Sequence, residues 1–308
     1  MLIPGVFRAK YSALSLTIVG LVLISFSCRN APVAAITETP IPTGTFAATD
    51  TLTPIPSATS QPTPTWTPTP DETAIAEQCA AVPDGLIGWW PGNGDAQDMV
   101  TGNNGTLHGG ASFEAGKVGQ AFRFNGVDGS VDIPRAANLN VGRQVSVEFW
   151  LMPAQENKMD NCCQGLIGTD YYLMEFSGGW TNNIGVNFVV NTDGIFHHTS
   201  DKTNTGFKVP PGQWTFVVGT YNGKSLSLYI NGTREVELNH QGSIMRMLAS
   251  SFLSIGSEDG RTNCPNCVGT RYFKGLIDEV SIYKRALTDS EIQSIYYAGE
   301  AGKCSLLK

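Results

Sequence analysis

Residues 144–153 alternate along the chain. Val145, Val147, Phe149 and Leu151 fall on one side, and Ser146, Glu148, Trp150 and Met152 on the other. A period of two marks a strand with one face buried. Residues 213–238 carry the clearest pattern, where β-rich runs are interrupted by Asn222-Gly223 and Asn231-Gly232. Such dipeptides favour the tight turns of hairpins. Three antiparallel strands are therefore predicted near 213–221, 224–230 and 233–238. Further strands are predicted at 86–90, 121–124, 130–133, 171–176, 184–190, 252–255 and 275–284. Many short strands with turns between them point to an all-β sandwich of two sheets.

The period changes once. In "LTDSEIQSIYYAG", Thr288 stands three residues before Glu291, the spacing of a capping box. Leu287 and Ile292 can form the accompanying hydrophobic staple. Ile292, Ile295 and Tyr296 make an apolar stripe, and Gly299 ends it. One short helix is predicted there, at the end of a β-domain.

The N-terminal quarter follows neither period. Arg8 and Lys10 precede an uncharged apolar run from residue 12 to residue 27. A short basic start and an apolar run of that length read as a secretory signal. The run ends Ser25-Phe26-Ser27-Cys28. A small residue followed by cysteine resembles the lipobox of bacterial lipoproteins, although that family usually has Leu where Ser25 stands. Cys28 is the expected lipid-bearing residue. Val33-Ala34-Ala35 offers an ordinary cleavage site as the alternative, and an uncleaved anchor is a third. Each places the rest of the chain outside the cytoplasm.

Residues 31–70 hold nine prolines and twelve threonines, with Glu38 and Asp50 as their only charges. Such a segment has too little apolar content to bury a core and is expected to stay extended. At full stretch, forty proline-rich residues reach roughly 120 Å. The expected organisation is a signal over 1–27, a disordered Thr/Pro-rich linker over 28–78 and one domain over 79–308. The net charge of −7 and the lack of any basic run argue against nucleic acid as a partner.

Seven cysteines are present. Setting Cys28 aside leaves six, and an even set in an exported chain reads as three disulfides. Cys79 opens the domain and Cys304 nearly closes it, so their pairing would staple its ends. Cys162, Cys163, Cys264 and Cys267 would then cross-link two loops, in a pairing that spacing leaves open. Zinc held by those four thiolates is an alternative, which the adjacent Cys162-Cys163 suits badly. A redox Cys-x-x-Cys would need a helix start in a βαβ setting, and none surrounds Cys264.

Several segments, taken together, resemble a known family. They are "GLIGWWPGNGDAQDMVTGNNGTL", "GKVGQAFRFNGVDGSVDIP", "VSVEFWLMP", "GQWTFVVGTYNGKSLSLYINGT" and "FKGLIDEVSIYKRALTDSEIQSIYYAGEAGKC". In this order they are similar to LamG-like jelly-roll domains of the concanavalin A-like lectin/glucanase superfamily. The resemblance spans about residues 79–304 and implies a two-sheet antiparallel jelly-roll. It also implies carbohydrate binding in many members, often with calcium. Function must still be argued from the site, since this fold hosts many activities.

Glycosidases need two carboxylates about 5–10 Å apart. Strand 144–153 offers only Glu148, and the adjacent Asp278 and Glu279 would point to opposite faces of a strand. No catalytic pair is expected, and no hydrolase motif is present. Calcium needs several oxygen ligands on loops; Asp95, Asp98 and Asp278 are the expected set. For a ligand, Trp180 with Asn182 and Asn183 on a glycine-flanked loop is the expected rim site, joined by Tyr171 and Tyr172, with His197 and His198 in the same region. The other tryptophans of the recurrent segments are expected in the core. The expected role is non-catalytic binding of an extracellular glycan, by a domain tethered to the cell surface through a lipid anchor. A protein–protein adhesion module is the alternative, and a glycoside hydrolase a weaker one.

Overall fold

The computed structural model describes residues 78–155, 164–178, 184–202, 207–245, 252–257 and 271–304. The chain divides into two units, Met1–Thr63 and Pro64–Lys308, and every described residue lies in the second. Cys28, Cys162, Cys163, Trp180, Asn182, Asn183, Cys264 and Cys267 lie outside the described residues. Among those described, no helix is long and apolar enough to cross a membrane.

The strands are β1 (Leu86–Trp90), β2 (Thr106–His108), β3 (Ser112–Ala115), β4 (Gln120–Asn125), β5 (Ser130–Pro134), β6 (Val145–Pro153), β7 (Gln164–Gly168) and β8 (Tyr172–Gly178). They continue as β9 (Ile184–Thr192), β10 (Ile195–His198), β11 (Phe207–Lys208), β12 (Thr215–Tyr221), β13 (Ser225–Ile230), β14 (Thr233–Asn239), β15 (Phe252–Ile255) and β16 (Lys274–Tyr283). Helix α1 spans Asp289–Ala298. The first sheet runs β14-β13-β12-β6-β16-β4-β3, with β1 also on β16. The second runs β10-β9-β8-β7-β15-β5-β2, with β11 also on β9. The paired strands are antiparallel throughout both sheets. Neighbours far apart in sequence, such as β6 beside β16, give the jelly-roll its crossovers.

The alternation read from the sequence decides what is buried. Val145, Val147, Phe149 and Leu151 of β6 pack inward with Val186, Phe188 and Val190 of β9 and Ile277, Val280 and Ile282 of β16. On the outer face of the first sheet, α1 covers a second cluster. Ile292, Ile295 and Ala298 pack there with Trp150, Phe216 and Tyr229. The capping box forms as predicted. Glu291 N–H donates to Thr288 Oγ1 and Thr288 N–H to Glu291 Oε2. Asn231 (φ 48°) and Gly232 (φ 76°) join β13 to β14 through two left-handed residues, as a primed turn requires. A like pair, Asp193 (φ 57°) and Gly194 (φ 85°), joins β9 to β10.

Strand β16 departs from the expected alternation. Its register with β6 shifts between Asp278 and Ser281, and Glu279 takes φ 58°. A bulge inserts one residue and re-aims the side chains around it. Ile277 and Val280 both point into the core. Asp278 and Glu279 therefore share the outer face, contrary to the expectation that they oppose one another. Cys79 and Cys304 are joined by a disulfide, as their positions suggested.

Candidate functional site

The outer face of the second sheet is polar. On β9, Val186, Phe188 and Val190 go inward, so Asn187, Val189 and Asn191 go outward. Glu175 on β8 lies directly opposite Asn187, and His198 on β10 opposite Val189. Glu175 Oε1 is 3.4 Å from His198 Nδ1. Glu175 and Asn187 are buried, while the His198 side chain keeps 34% of its exposure. They form a floor with His198 at its edge. Further along the same face, Asp132 Oδ2 is 3.5 Å from His108 Nε2. Ser254 Oγ donates to Asp132 Oδ1 at 3.3 Å and shares a hydrogen bond with Ser257 Oγ. Carboxylate, amide, imidazole and hydroxyl groups thus line one face over several strands.

Trp180, Asn182 and Asn183 fall in the stretch of sequence between β8 and β9, outside the described residues. Tyr171 and Tyr172 require a correction. Both are buried, and Tyr172 donates from its hydroxyl to the Leu139 carbonyl at 3.2 Å inside the core. The strand starts so that the tyrosines pack inward, and neither presents a ring to a ligand. Sequence reasoning missed Glu175, Asn187 and His108. Part of the signal was available, since Glu175 and Ser177 flank Phe176 in β8, and Asn187 and Asn191 punctuate the apolar run of β9. His197 and His198 do face opposite ways: His197 stacks on His240 at 3.5 Å between ring centroids.

The expected calcium set also does not assemble. Asp98 accepts from the backbone N–H groups of Trp89, Val100, Thr101 and Asn103 and from Thr101 Oγ1. Its oxygens are committed to closing the loop after β1. Asp95 is exposed and accepts from Gln97 N–H. Asp278 Oδ2 accepts from Lys117 and Val118 N–H at 2.8 and 2.9 Å. Asp278 Oδ1 is buried and without a hydrogen-bond partner, while Asp95 stands exposed. Among the described residues no three acids, histidines or cysteines gather as a metal site.

Burial, with the nearby Glu279 charge, pushes the Asp278 carboxyl up to about 7, against the pull of the N–H groups. The unfolded value is 3.8. Between these values the folded chain holds a proton that the unfolded chain releases. The stability that Asp278 contributes is full below about pH 4 and is lost as pH rises to about 7. Asp278→Asn keeps an oxygen for the two N–H groups and cannot ionise. Its melting temperature relative to the natural protein is expected to climb from pH 4 to pH 7.5. A difference that stays flat across that range contradicts the assignment.

Behind the first sheet, sequence reasoning missed a charged cluster. Lys303 Nζ lies 3.0 Å from Glu148 Oε1 and 3.0 Å from Glu279 Oε2. Tyr283 O–H donates to Glu148 Oε1, and Trp89 Nε1–H donates to Glu279 Oε2. The three charged side chains are 0–4% exposed. The carboxylate pair exists, but it is sealed beneath the C-terminal segment and carries an ammonium between its members. Burial opposes the lysine's charge, yet the two carboxylates prevail and hold its pKa above the ordinary value.

Fold and surface define an antiparallel jelly-roll domain of the lectin-like class, with an outward polar face. The family description that matches residues 125–293, more than half the chain, is the concanavalin A-like lectin/glucanases superfamily, and this chain belongs to it. Among solved structures it is similar to domain 4 of AbnA, a GH43 extracellular arabinanase from Geobacillus stearothermophilus, in complex with arabinotriose. That match has 22% identity and a TM-score of 0.51, and covers 70% of this chain and 98% of the domain. It is also similar to the binding domain of Paraclostridial Mosquitocidal Protein 1, with 19% identity, a TM-score of 0.51, and 69% and 52% of the two chains covered. Human adhesion G-protein coupled receptor D1 is 34% identical over 116 residues, which are 36% of this chain and 12% of the receptor.

Proposed function

We propose that the protein is an exported, surface-tethered module that binds an extracellular glycan without transforming it. The outward polar face of β8, β9 and β10 carries this reading. Sugars are recognised by side chains that accept and donate hydrogen bonds beside an aromatic ring. The half-exposed His198, held from beneath by the buried Glu175, supplies the first, and Trp180, between β8 and β9 in the sequence, is assigned the second. A domain of the same fold that holds arabinotriose supports this class of ligand. Cys28 as lipid anchor and the Thr/Pro-rich linker would hold the domain away from the membrane.

Distance argues against hydrolysis on this face. Glu175 on β8 and Asp132 on β5 stand three strand spacings apart, about 14 Å. That exceeds the separation at which two carboxylates share one glycosidic bond. Calcium held by the domain would draw on Asp278 Oδ1 and backbone carbonyls, since Asp98 is committed.

His198→Ala and Trp180→Ala are each expected to weaken binding about tenfold or more, as loss of a charge-assisted hydrogen bond or a stacked ring would. Titration of a bound oligosaccharide by calorimetry checks this. Unchanged affinity in both variants removes the site from this face. Protein adhesion is a second reading, favoured by the exposed Ile195, Phe196 and Met245. Ile195 and Phe196 open β10, and Met245 N–H donates to the Asn191 carbonyl beside it.

A further inference from the structure

The sealed cluster of Lys303, Glu148 and Glu279 has the components of a covalent reaction. An amine nitrogen lies within 3.0 Å of two carboxylates. All three groups are fixed by hydrogen bonds and backbone geometry. Lys303 is held by the pairing of Ala80 with its neighbours, through Ala80 N–H to Gly302 O and Cys304 N–H to Ala80 O. Glu279 is aimed by the bulge of β16. The Trp89 ring covers the ammonium at 5.0 Å from its centroid. Reacting groups held in contact gain effective molarities of about 10⁵–10⁸ M. Exclusion of water removes the competing back-reaction.

We propose that Lys303 and Glu279 condense to an intramolecular amide, with Glu148 as the proton relay. Glu148 accepts a proton from the Lys303 ammonium through Oε1. Its Oε2 is buried without a hydrogen-bond partner. Glu148 passes that proton to the other oxygen of Glu279, and the freed amine attacks Cδ of the neutral carboxyl. Trp89 Nε1–H, 2.9 Å from Glu279 Oε2, stabilises the charge that develops on that oxygen. Of the three ammonium protons, one stays on the amide nitrogen. Two leave with the other oxygen of Glu279 as one water. One Nζ–Cδ bond forms, and one C–O and two N–H bonds break. Nothing is oxidised or reduced, and Glu148 ends as it began, a carboxylate. The product clamps the C-terminal segment to β16 by a bond that survives reduction of Cys79–Cys304.

Mass spectrometry of the purified exported chain, reduced and alkylated, tests this directly. The expected mass is one water below that of the free chain. The expected digest joins the peptides of Lys303 and Glu279, with no tryptic cleavage after Lys303. Lys303→Arg and Glu148→Gln are expected to restore the full mass, a readout that holds even for a variant that folds poorly. A natural chain of full mass cut after Lys303 overturns the proposal. A water loss that maps elsewhere does so too. A link that persists in Glu148→Gln overturns the relay assigned to Glu148.

Discussion

Measured against the chain in which Lys303 is still an ammonium, Lys303→Met is expected to destabilise the domain by about 3–5 kcal/mol, the usual cost of removing one partner from a buried ion cluster. The reason is what remains. Glu148 and Glu279 sit at 0% and 4% exposure, and the ammonium is the one charge that neutralises either of them. Tyr283 and Trp89 each donate a single hydrogen bond, which orients a carboxylate without cancelling its charge. Methionine fills the volume and supplies neither charge nor donor. Two buried anions must then share their site, take up protons or unfold it. Urea unfolding at pH 7.5 measures the loss. A loss below about 1 kcal/mol at pH 7.5, in the range of an exposed surface pair, would show that Lys303 does not hold them.

Breaking Cys79–Cys304 carries the second large effect. The bond spans 225 residues. On the chain-entropy account a loop of that length stabilises by about 5 kcal/mol, with measured values for native bonds at about 2–5 kcal/mol. The same bond fixes the segment that delivers Lys303. Cys79→Ser with Cys304→Ser should therefore lower stability and loosen the lysine's hold on its two carboxylates. The pair predicts coupling: combined with Lys303→Met, the losses should sum to less than their separate values. Strict additivity in that cycle would separate the staple from the cluster.

Much of this architecture is written in local sequence. Strand β6 follows its period of two, the hairpin at Asn231-Gly232 follows its dipeptide, and α1 follows its capping box. The end-to-end disulfide follows from where Cys79 and Cys304 stand. The short strands β2, β3, β10 and β11 are harder to read, being two to four residues long, too short for a period to repeat. Glu279 was misplaced for a different reason. Alternation assumes that every residue turns the chain over, and a bulge inserts one that does not. Nothing local in the chain announces Lys303, because its partners lie about 155 and 24 residues away and meet it only after both sheets close. Asp98 was mistaken for a metal ligand because a carboxylate that ties a loop and one that binds calcium share the same setting of Gly, Asn and Asp. On β8 and β9 the polar positions are interrupted by Leu173 and Val189, so the pattern does not mark Glu175 and Asn187, while Tyr171 and Tyr172 belong to the core.

Glycan recognition by the exported domain is tested by binding to free glycans. The exported chain, with its disulfides intact, is screened against a panel of extracellular polysaccharides and oligosaccharides, with calcium and again with chelator. The expected result is saturable binding to at least one glycan with no release of shortened product, and loss of that binding in His198→Ala. Binding that persists under chelator keeps the ion away from the contact, and binding that disappears makes calcium part of it. Absence of binding to every glycan, by a chain whose melting curve shows it folded, contradicts the account and moves the partner to a protein docking at Ile195, Phe196 and Met245.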